Sequence, residues 1–422
     1  MSTEETTSNS SSKKNDVFKI SEEYQRIKNV SKIATSLENK DVDDSDILEN
    51  LRLELKTVPQ DKQAIIKSKA IGIILASLCG DALGSNTEFK SMSDIQKTFG
   101  YVRDFKHSSW RPRGQFTDDG ESLLALATGI VECGKTDELD VNTIVRHYTT
   151  AFASEPRRGY GPTSSRILQM LASGQTTPDK SGRLFFEDGS YSNGCLMRIA
   201  PLGLFSFIRD FNVDQVKKNV LIAIECTHCH VESIEVCNTY CLLMIELLKN
   251  SFETDNKNDF VKKVFSFINS IVENDYFKSK LSIVEQNIDK LLKINAEFAE
   301  KFPINDKSED CAEERKKIQS EEAKVFEKVI SKCPFGELFA IRASEAFSVT
   351  LYALFLSKII GAEESLIRVV NWGGDADTIA CIVGGLLGAE YGFQFLPKRW
   401  VNSVEGRDLA IDTALKIIEL KN

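Results

Sequence analysis

Apolar positions along the chain fall into blocks with helical spacing, and β-branched alternation never persists beyond a few residues. In "SKAIGIILASLCGDALGS", Ser68 to Ser85, small and apolar residues run almost unbroken, which predicts a helix buried on all sides. In "TDDGESLLALATGIVECG", Thr117 to Gly134, polar residues come first and apolar ones follow at helical spacing. "RIAPLGLFSFI" (Arg198 to Ile208), "EAFSVTLYALFLSKI" (Glu345 to Ile359) and "NWGGDADTIACIVGGLLGA" (Asn371 to Ala389) complete the strong segments. Between about 250 and 333 the composition shifts to Lys, Glu and Asn with Phe and Ile at intervals of three and four, the pattern of added amphipathic helices. The expected fold class is all-α, with no internal repeat. Residues 1–16 are Ser/Thr-rich and read as a disordered tail. Residues 17–60 read as a charged helical N-terminal extension, and 61–422 as the main domain carrying the insertion.

Composition narrows the function classes. An apolar content of 42% with 25 Phe supports a substantial core. The net charge is −9 and no basic stretch carries interleaved aromatics, so nucleic acid is not an expected partner. No apolar run is expected to approach the roughly 18 residues of a membrane helix, so no membrane association is expected. The ten Cys, with no apolar signal core at the N-terminus, read as reduced thiols of a cytoplasmic protein, a nuclear location also fitting. A monomer is expected.

Two acidic clusters at helix beginnings carry the chemistry. "QFTDDGES" places Thr117, Asp118 and Asp119 before one apolar run, and "GGDADT" places Asp375, Asp377 and Thr378 before another. Each alone reads as a helix cap, since Thr and Asp are favoured there and the helix dipole welcomes acid. Together they offer the oxygen-only ligand set that hard cations such as Mg²⁺ or Mn²⁺ require. "DADT" does not continue as a calcium EF-hand loop, because Ile-Ala-Cys-Ile follows. Nor does it complete the D-x-D-x-[TV] nucleophile motif of haloacid-dehalogenase-like phosphatases, having Ile379 at the last position near the chain's end. In "CGDALGSNTEF", Asp81 and Glu88 follow an apolar stretch, and Glu88 is a candidate general base. Gly159 and Gly161 in "RRGYGPTS", and Gly189 and Gly194 in "EDGSYSNGCLMRIAPLG", permit the close backbone approach that cradles a diphosphate. "CTHCHVE" brings Cys226, His228, Cys229 and His230 to spacings that also admit structural zinc, whereas Cys237 and Cys241 read as buried thiols.

Taken in order, "GDALGSNTEF", "GQFTDDGESLLALA", "RGYG", "GSYSNGCLMRIAPLG", "CTH" and "GGDADTIACIVGGLLGAEYG" resemble the ADP-ribosylglycohydrolase family, the dinitrogenase-reductase-activating glycohydrolase and ADP-ribosylhydrolase group. The resemblance spans about residues 68 to 400. It implies an orthogonal multi-helix bundle with two Mg²⁺ ions, or Mn²⁺, hydrolysing the bond at C1″ of ADP-ribose. The substrate it implies is an ADP-ribosylated protein or a small ADP-ribose conjugate. By the same resemblance, Thr117, Asp118, Asp119, Asp375, Asp377 and Thr378 bind metal, and Glu88 and Asp119 are catalytic. Gly159, Gly161, Gly189, Ser190, Tyr191, Asn193 and His228 are expected to contact substrate. Gly120 stands where the family usually has Thr or Ser, which raises the alternative of a catalytically weakened ADP-ribose-binding or structural protein, as in crystallin relatives. Glycine within a helix costs about 1 kcal/mol relative to Ala, so Gly120 is expected to loosen this helix start. A third reading is a metal-dependent phosphohydrolase acting on a nucleotide diphosphate.

Overall fold

The Asp61 carboxylate accepts the amides of Gln63 (2.8 Å) and Ala64 (3.2 Å), satisfying donors that a helix start leaves without partners. From there the central helix Lys62–Gly84 runs through the core, buried from Ser68 to Gly84. A computed structural model describes residues 47–421 except 60, 109–110, 304–305, 307 and 332–338. The tail expected at 1–16 lies outside the described residues, as does the 17–60 extension up to residue 46. Ile47–Thr57 forms a helix there, turning Leu48 and Leu51 inward.

Among the described residues the fold is all-α: eighteen α-helices and two short 3₁₀ turns, with one isolated antiparallel bridge, Ser192 to Arg342, and no strand. The centre of the bundle is the antiparallel pair formed by Lys62–Gly84 and Ala376–Tyr391. These helices approach backbone to backbone. A Cβ on Gly80 would lie 2.1 Å from the Ala380 carbonyl oxygen, one on Gly84 2.4 Å from the Asp377 Cα, and one on Gly388 2.2 Å from the Gly72 carbonyl carbon. The closeness matters because Asp81 and the turn bearing Glu88 sit at one end of this pair, where the second acidic motif begins.

Lys62–Gly84 and Ala343–Ile360 correct the expectation about membrane-length helices. Both are long and apolar enough to cross a bilayer, with 78% and 89% of their most apolar stretches buried inside the fold. Interspersed Ser, Thr and Lys break the unbroken apolar run without lowering the average hydropathy enough, and the bundle itself covers these helices.

The segment between about 250 and 333 contains helices Lys257–Ile271, Asp275–Lys301 and Glu309–Val329. Asp275–Lys301 buries Phe277, Leu281, Val284, Ile288, Leu291, Leu292 and Asn295, a stripe at intervals of mainly three and four. Phe277 meets Phe347 of Ala343–Ile360 edge to face, with ring centroids 5.4 Å apart.

Candidate metal centre

The first acidic motif is built around Thr117, the N-cap of helix Asp118–Cys133. Its hydroxyl donates to Asp119 Oδ2 at 2.9 Å and accepts the Asp119 amide at 3.3 Å. A second carboxylate holds this helix start from outside. Asp81, fully buried on the central helix, accepts the Thr117 amide on Oδ1 (2.9 Å) and the Gly120 amide on Oδ2 (2.7 Å). A Cβ on Gly120 would press against the Phe116 and Leu78 side chains at 2.8 to 2.9 Å. The expected loosening is therefore not what the fold shows: Gly120 is packed, and its amide is anchored.

The second motif follows a two-glycine turn. Gly373 (φ 76°) and Gly374 (φ 66°) both adopt the left-handed conformation that glycine enters without steric cost. A Cβ on Gly373 would also lie 2.1 Å from the Lys90 carbonyl oxygen. The turn is stitched to the segment after Glu88, with the Phe89 amide donating to the Gly374 carbonyl (2.8 Å) and the Gly374 amide to the Lys90 carbonyl (3.0 Å). Asp375 occupies the N-cap position of Ala376–Tyr391 yet makes no side-chain capping bond. Its carboxylate instead accepts the side-chain amide of Asn193. The cap reading of this motif thus fails at Asp375, whereas Thr117 does cap.

Carboxylate oxygens of Glu88, Asp375 and Asp377 lie within 4.8 Å of one another. Asp119 stands close enough to Asp375 and Asp377 for its charge to raise both of their carboxyls, which brings the two motifs together. Among the described residues, no Lys or Arg forms an ion pair with Asp81, Glu88, Asp118, Asp119, Asp375 or Asp377. Burial, then repulsion from Asp377, Asp375, Asp119 and Asp118, pushes Glu88 up to about 11. Burial, then Asp119, pushes Asp375 up to about 7. Asp118 and Asp377 are raised well above the usual carboxylate range, by burial first and then by Asp119. Asp119 Oδ1 is buried with no hydrogen-bond partner. Clustered, like-charged oxygen donors with a partnerless buried oxygen fit hard divalent cations, so Thr117, Asp118, Asp119, Asp375, Asp377 and Thr378 are suited to hold them.

The remaining sequence-derived residues divide. A Cβ on Gly159 would meet Arg111 Nη2 at 3.0 Å and Asp118 Oδ1 at 3.1 Å, so its backbone lies against the first motif. Gly161 is exposed, with open space where a Cβ would stand, just before helix Pro162–Ala172. Asn193 reaches the second motif directly. Gly189 packs on Cys229 and the His230 amide. The Ser190 hydroxyl donates to Ser192 (3.1 Å), and Ser192 Oγ lies 2.7 Å from His228 Nε2. His228 is buried, its Nδ1 is 2.8 Å from Thr227 Oγ1, and burial holds its pKa well below the ordinary value. Both ring nitrogens of His228 are thus engaged, Nε2 with Ser192 of the 189–194 loop and Nδ1 with its own neighbour Thr227. Exposed Tyr191 stands edge-on to His230 (5.6 Å between centroids), with the Arg342 guanidinium 4.5 Å from its ring centroid.

Sequence reasoning named Asp81 without giving it a role, and missed three partners altogether. Arg158, buried in the "RRGYG" loop, pairs with Glu405 through Nη1 (2.6 Å) and with Glu121 through Nε (3.2 Å), and donates to the Phe116 carbonyl. The signal was an arginine and a glutamate inside otherwise apolar or glycine-rich motifs. Among the described residues, Cys226, His228, Cys229 and His230 do not gather as a metal site; His230 instead caps helix Val231–Leu248. The nine described cysteines are free, and Cys237 and Cys241 are buried.

Comparison with known proteins follows the same lines. The family described as ADP-ribosylglycohydrolase matches residues 62–422. ADP-ribosylhydrolase ARH3 of Danio rerio is 24% identical over 84% of this chain and 90% of its own. The ADP-ribosyl-[dinitrogen reductase] glycohydrolase of Rhodospirillum rubrum is 23% identical over 81% of this chain and 91% of its own. A solved ADP-ribosylglycohydrolase-related protein complex shares the fold, with a TM-score of 0.56 at 22% identity over 85% of this chain and 99% of that one. The chain belongs to the ADP-ribosylglycohydrolase family.

Proposed function

We propose that the protein is a divalent-cation-dependent hydrolase that cleaves the glycosidic bond at C1″ of ADP-ribose, releasing ADP-ribose from modified proteins or related conjugates. Family membership supports hydrolytic removal of ADP-ribose, and the Rhodospirillum rubrum relative is named for a modified protein. The observation that supports the cation dependence is the cluster of Glu88, Asp375 and Asp377, whose carboxylate oxygens lie within 4.8 Å of one another, with Asp119 close enough to raise both aspartates.

Two Mg²⁺ ions, or Mn²⁺, held by Thr117, Asp118, Asp119, Asp375, Asp377 and Thr378 would supply Lewis acidity and add to the positive charge that Arg111 brings beside Asp119 and Asp377. Asn193 fixes the Asp375 carboxylate, and Asp81 fixes the Thr117–Gly120 turn, so neither motif has to reorganise as substrate arrives. The repulsion that raises Glu88 comes from the neighbouring aspartates, so with cations held by them Glu88 would be ionised. As the carboxylate it takes a proton from the attacking water as the water oxygen bonds to C1″, and the C1″ bond to the leaving group breaks. That proton returns through Glu88 to the leaving group. The backbone at Gly159 and the 189–194 loop receive the diphosphate side of the substrate, with Tyr191 exposed beside it. Asp119 touches the reacting centre from the opposite motif.

ADP-ribosylated protein incubated with Mg²⁺ should yield free ADP-ribose, and Asp375→Asn or Asp377→Asn should abolish release. Glu88→Gln should slow turnover while ADP-ribose still binds. Full turnover in either aspartate variant would remove the cation assignment, and AMP as the product would indicate phosphohydrolysis. The packed, anchored Gly120 gives no support to the weakened, non-catalytic alternative.

A further inference from the structure

The charged 250–333 segment reaches the second acidic motif through one buried carboxylate. Glu322 lies on helix Glu309–Val329 within the stripe Ile318, Glu322, Val325, Phe326 and Val329, and it is fully buried. Its Oε1 accepts from Tyr352 Oη (2.8 Å), Arg368 Nη1 (3.1 Å) and Asn295 Nδ2 (3.3 Å). Its Oε2 accepts from Trp372 Nε1 at 2.9 Å. One turn further along the same helix face, Phe326 packs on the Trp372 indole, with centroids 4.7 Å apart and planes at 72°. Gln319, one turn before Glu322, donates to the Asn371 carbonyl at 3.4 Å. Asn371 and Trp372 lead directly into the Gly373–Gly374 turn and Asp375.

Three anchors therefore hold that turn. Asn371 exchanges side-chain hydrogen bonds with the Val102 backbone (both 2.8 Å), and Gly374 is stitched to the 89–90 segment. The 250–333 segment supplies the third, at Trp372. A buried ion pair is weak as a stability device, because desolvation offsets most of the attraction and apolar residues of similar volume serve as well. What a fully hydrogen-bonded carboxylate adds is a single allowed geometry. Glu322 gives Trp372 one position, and with it the turn that carries Asp375 and Asp377.

We propose that Glu322 of helix Glu309–Val329 is a positioning residue for the second half of the cation site, acting through the Trp372 indole. This rests on the cation-dependent reading above. The two oxygens of Glu322 serve different donors, which makes Glu322→Gln selective. A Gln oxygen facing Tyr352, Arg368 and Asn295 leaves its NH₂ against the Trp372 N–H. Trp372→Phe removes the same bond from the other side while keeping an aromatic ring against Phe326.

The test is calorimetric titration of the full-length folded protein with Mn²⁺. Glu322→Gln and Trp372→Phe should each weaken Mn²⁺ binding by about tenfold or more, the range seen when groups orienting metal ligands are removed. The double variant should bind no worse than the weaker single one, because both changes break one bond. A merely structural role would lower the unfolding temperature of each variant and leave the Mn²⁺ affinity of the folded protein unchanged. Should Glu322→Gln fail to fold, Trp372→Phe alone decides the question. Mn²⁺ binding that is lost in Asp375→Asn but unchanged in Glu322→Gln and Trp372→Phe overturns this proposal alone. Binding that survives Asp375→Asn overturns the cation reading and this proposal with it.

Discussion

The two flanks of the second acidic motif are held by different means. On one side, helix Ala376–Tyr391 meets Lys62–Gly84 backbone against backbone, glycine by glycine. On the other, the charged 250–333 segment meets the turn before Asp375 through side chains: the Glu322 carboxylate, the Trp372 indole and the rings of Phe326 and Tyr352. Backbone contact leaves no freedom, since any side chain at the contact displaces the partner helix. Side-chain contact can be trimmed one hydrogen bond at a time. Asp377 is thus held against the core, whereas the turn before Asp375 is met by a segment whose sequence reads as added amphipathic helices.

The comparison can be broken hardest at Gly84. Gly84→Val sets new methyl groups where the Asp377 backbone already stands, so it should cost about 3 kcal/mol or more, the upper range for overpacking, and displace the second motif. Urea unfolding and ADP-ribose release should both fall together; a stable and active Gly84→Val protein would mean that the helices do not approach this closely. Asp81→Ala is expected to come next. It strands the buried Thr117 and Gly120 amides, at about 1–3 kcal/mol for an unsatisfied group, and frees the first motif. Stability and Mn²⁺ affinity should drop in the same variant, and retained affinity would confine Asp81 to holding the fold. Tyr352→Phe should have the smallest effect, removing one of several donors to Glu322 for about 1 kcal/mol. Turnover near the wild-type level is expected, because the Trp372 bond remains; a large loss of turnover would show that the network acts as one unit.

The contrast between the flanks also marks what the sequence could disclose. Continuous apolar blocks and polar-to-apolar transitions made the central helices, Asp118–Cys133 and Ala343–Ile360 legible, because helical spacing is local. The two acidic motifs were legible for the same reason: Thr, Asp and Gly at a helix start form a short-range pattern. Asp81 was visible only as an acid in an apolar run, and its acceptor role required knowing that Thr117 folds onto it from 36 residues away. Asn193 and Asp375 are 182 residues apart, and Arg158 and Glu405 are 247 apart. No periodicity encodes such pairings. Gly120 illustrates the converse, since local propensity marked it as a weakness while the Phe116 and Leu78 side chains already fill the space beside it. Membrane-length apolarity misled in its own way, because composition alone does not distinguish a helix wrapped by protein from one wrapped by lipid.

The central claim is that the two acidic motifs form a cation centre. It is met most directly by crystals soaked in Mn²⁺ and measured for anomalous scattering. The expected result is strong anomalous density between Asp118 and Asp119 on one side and Asp375 and Asp377 on the other, absent from crystals of Asp377→Asn. Anomalous density elsewhere in the molecule with none at these carboxylates would contradict the account.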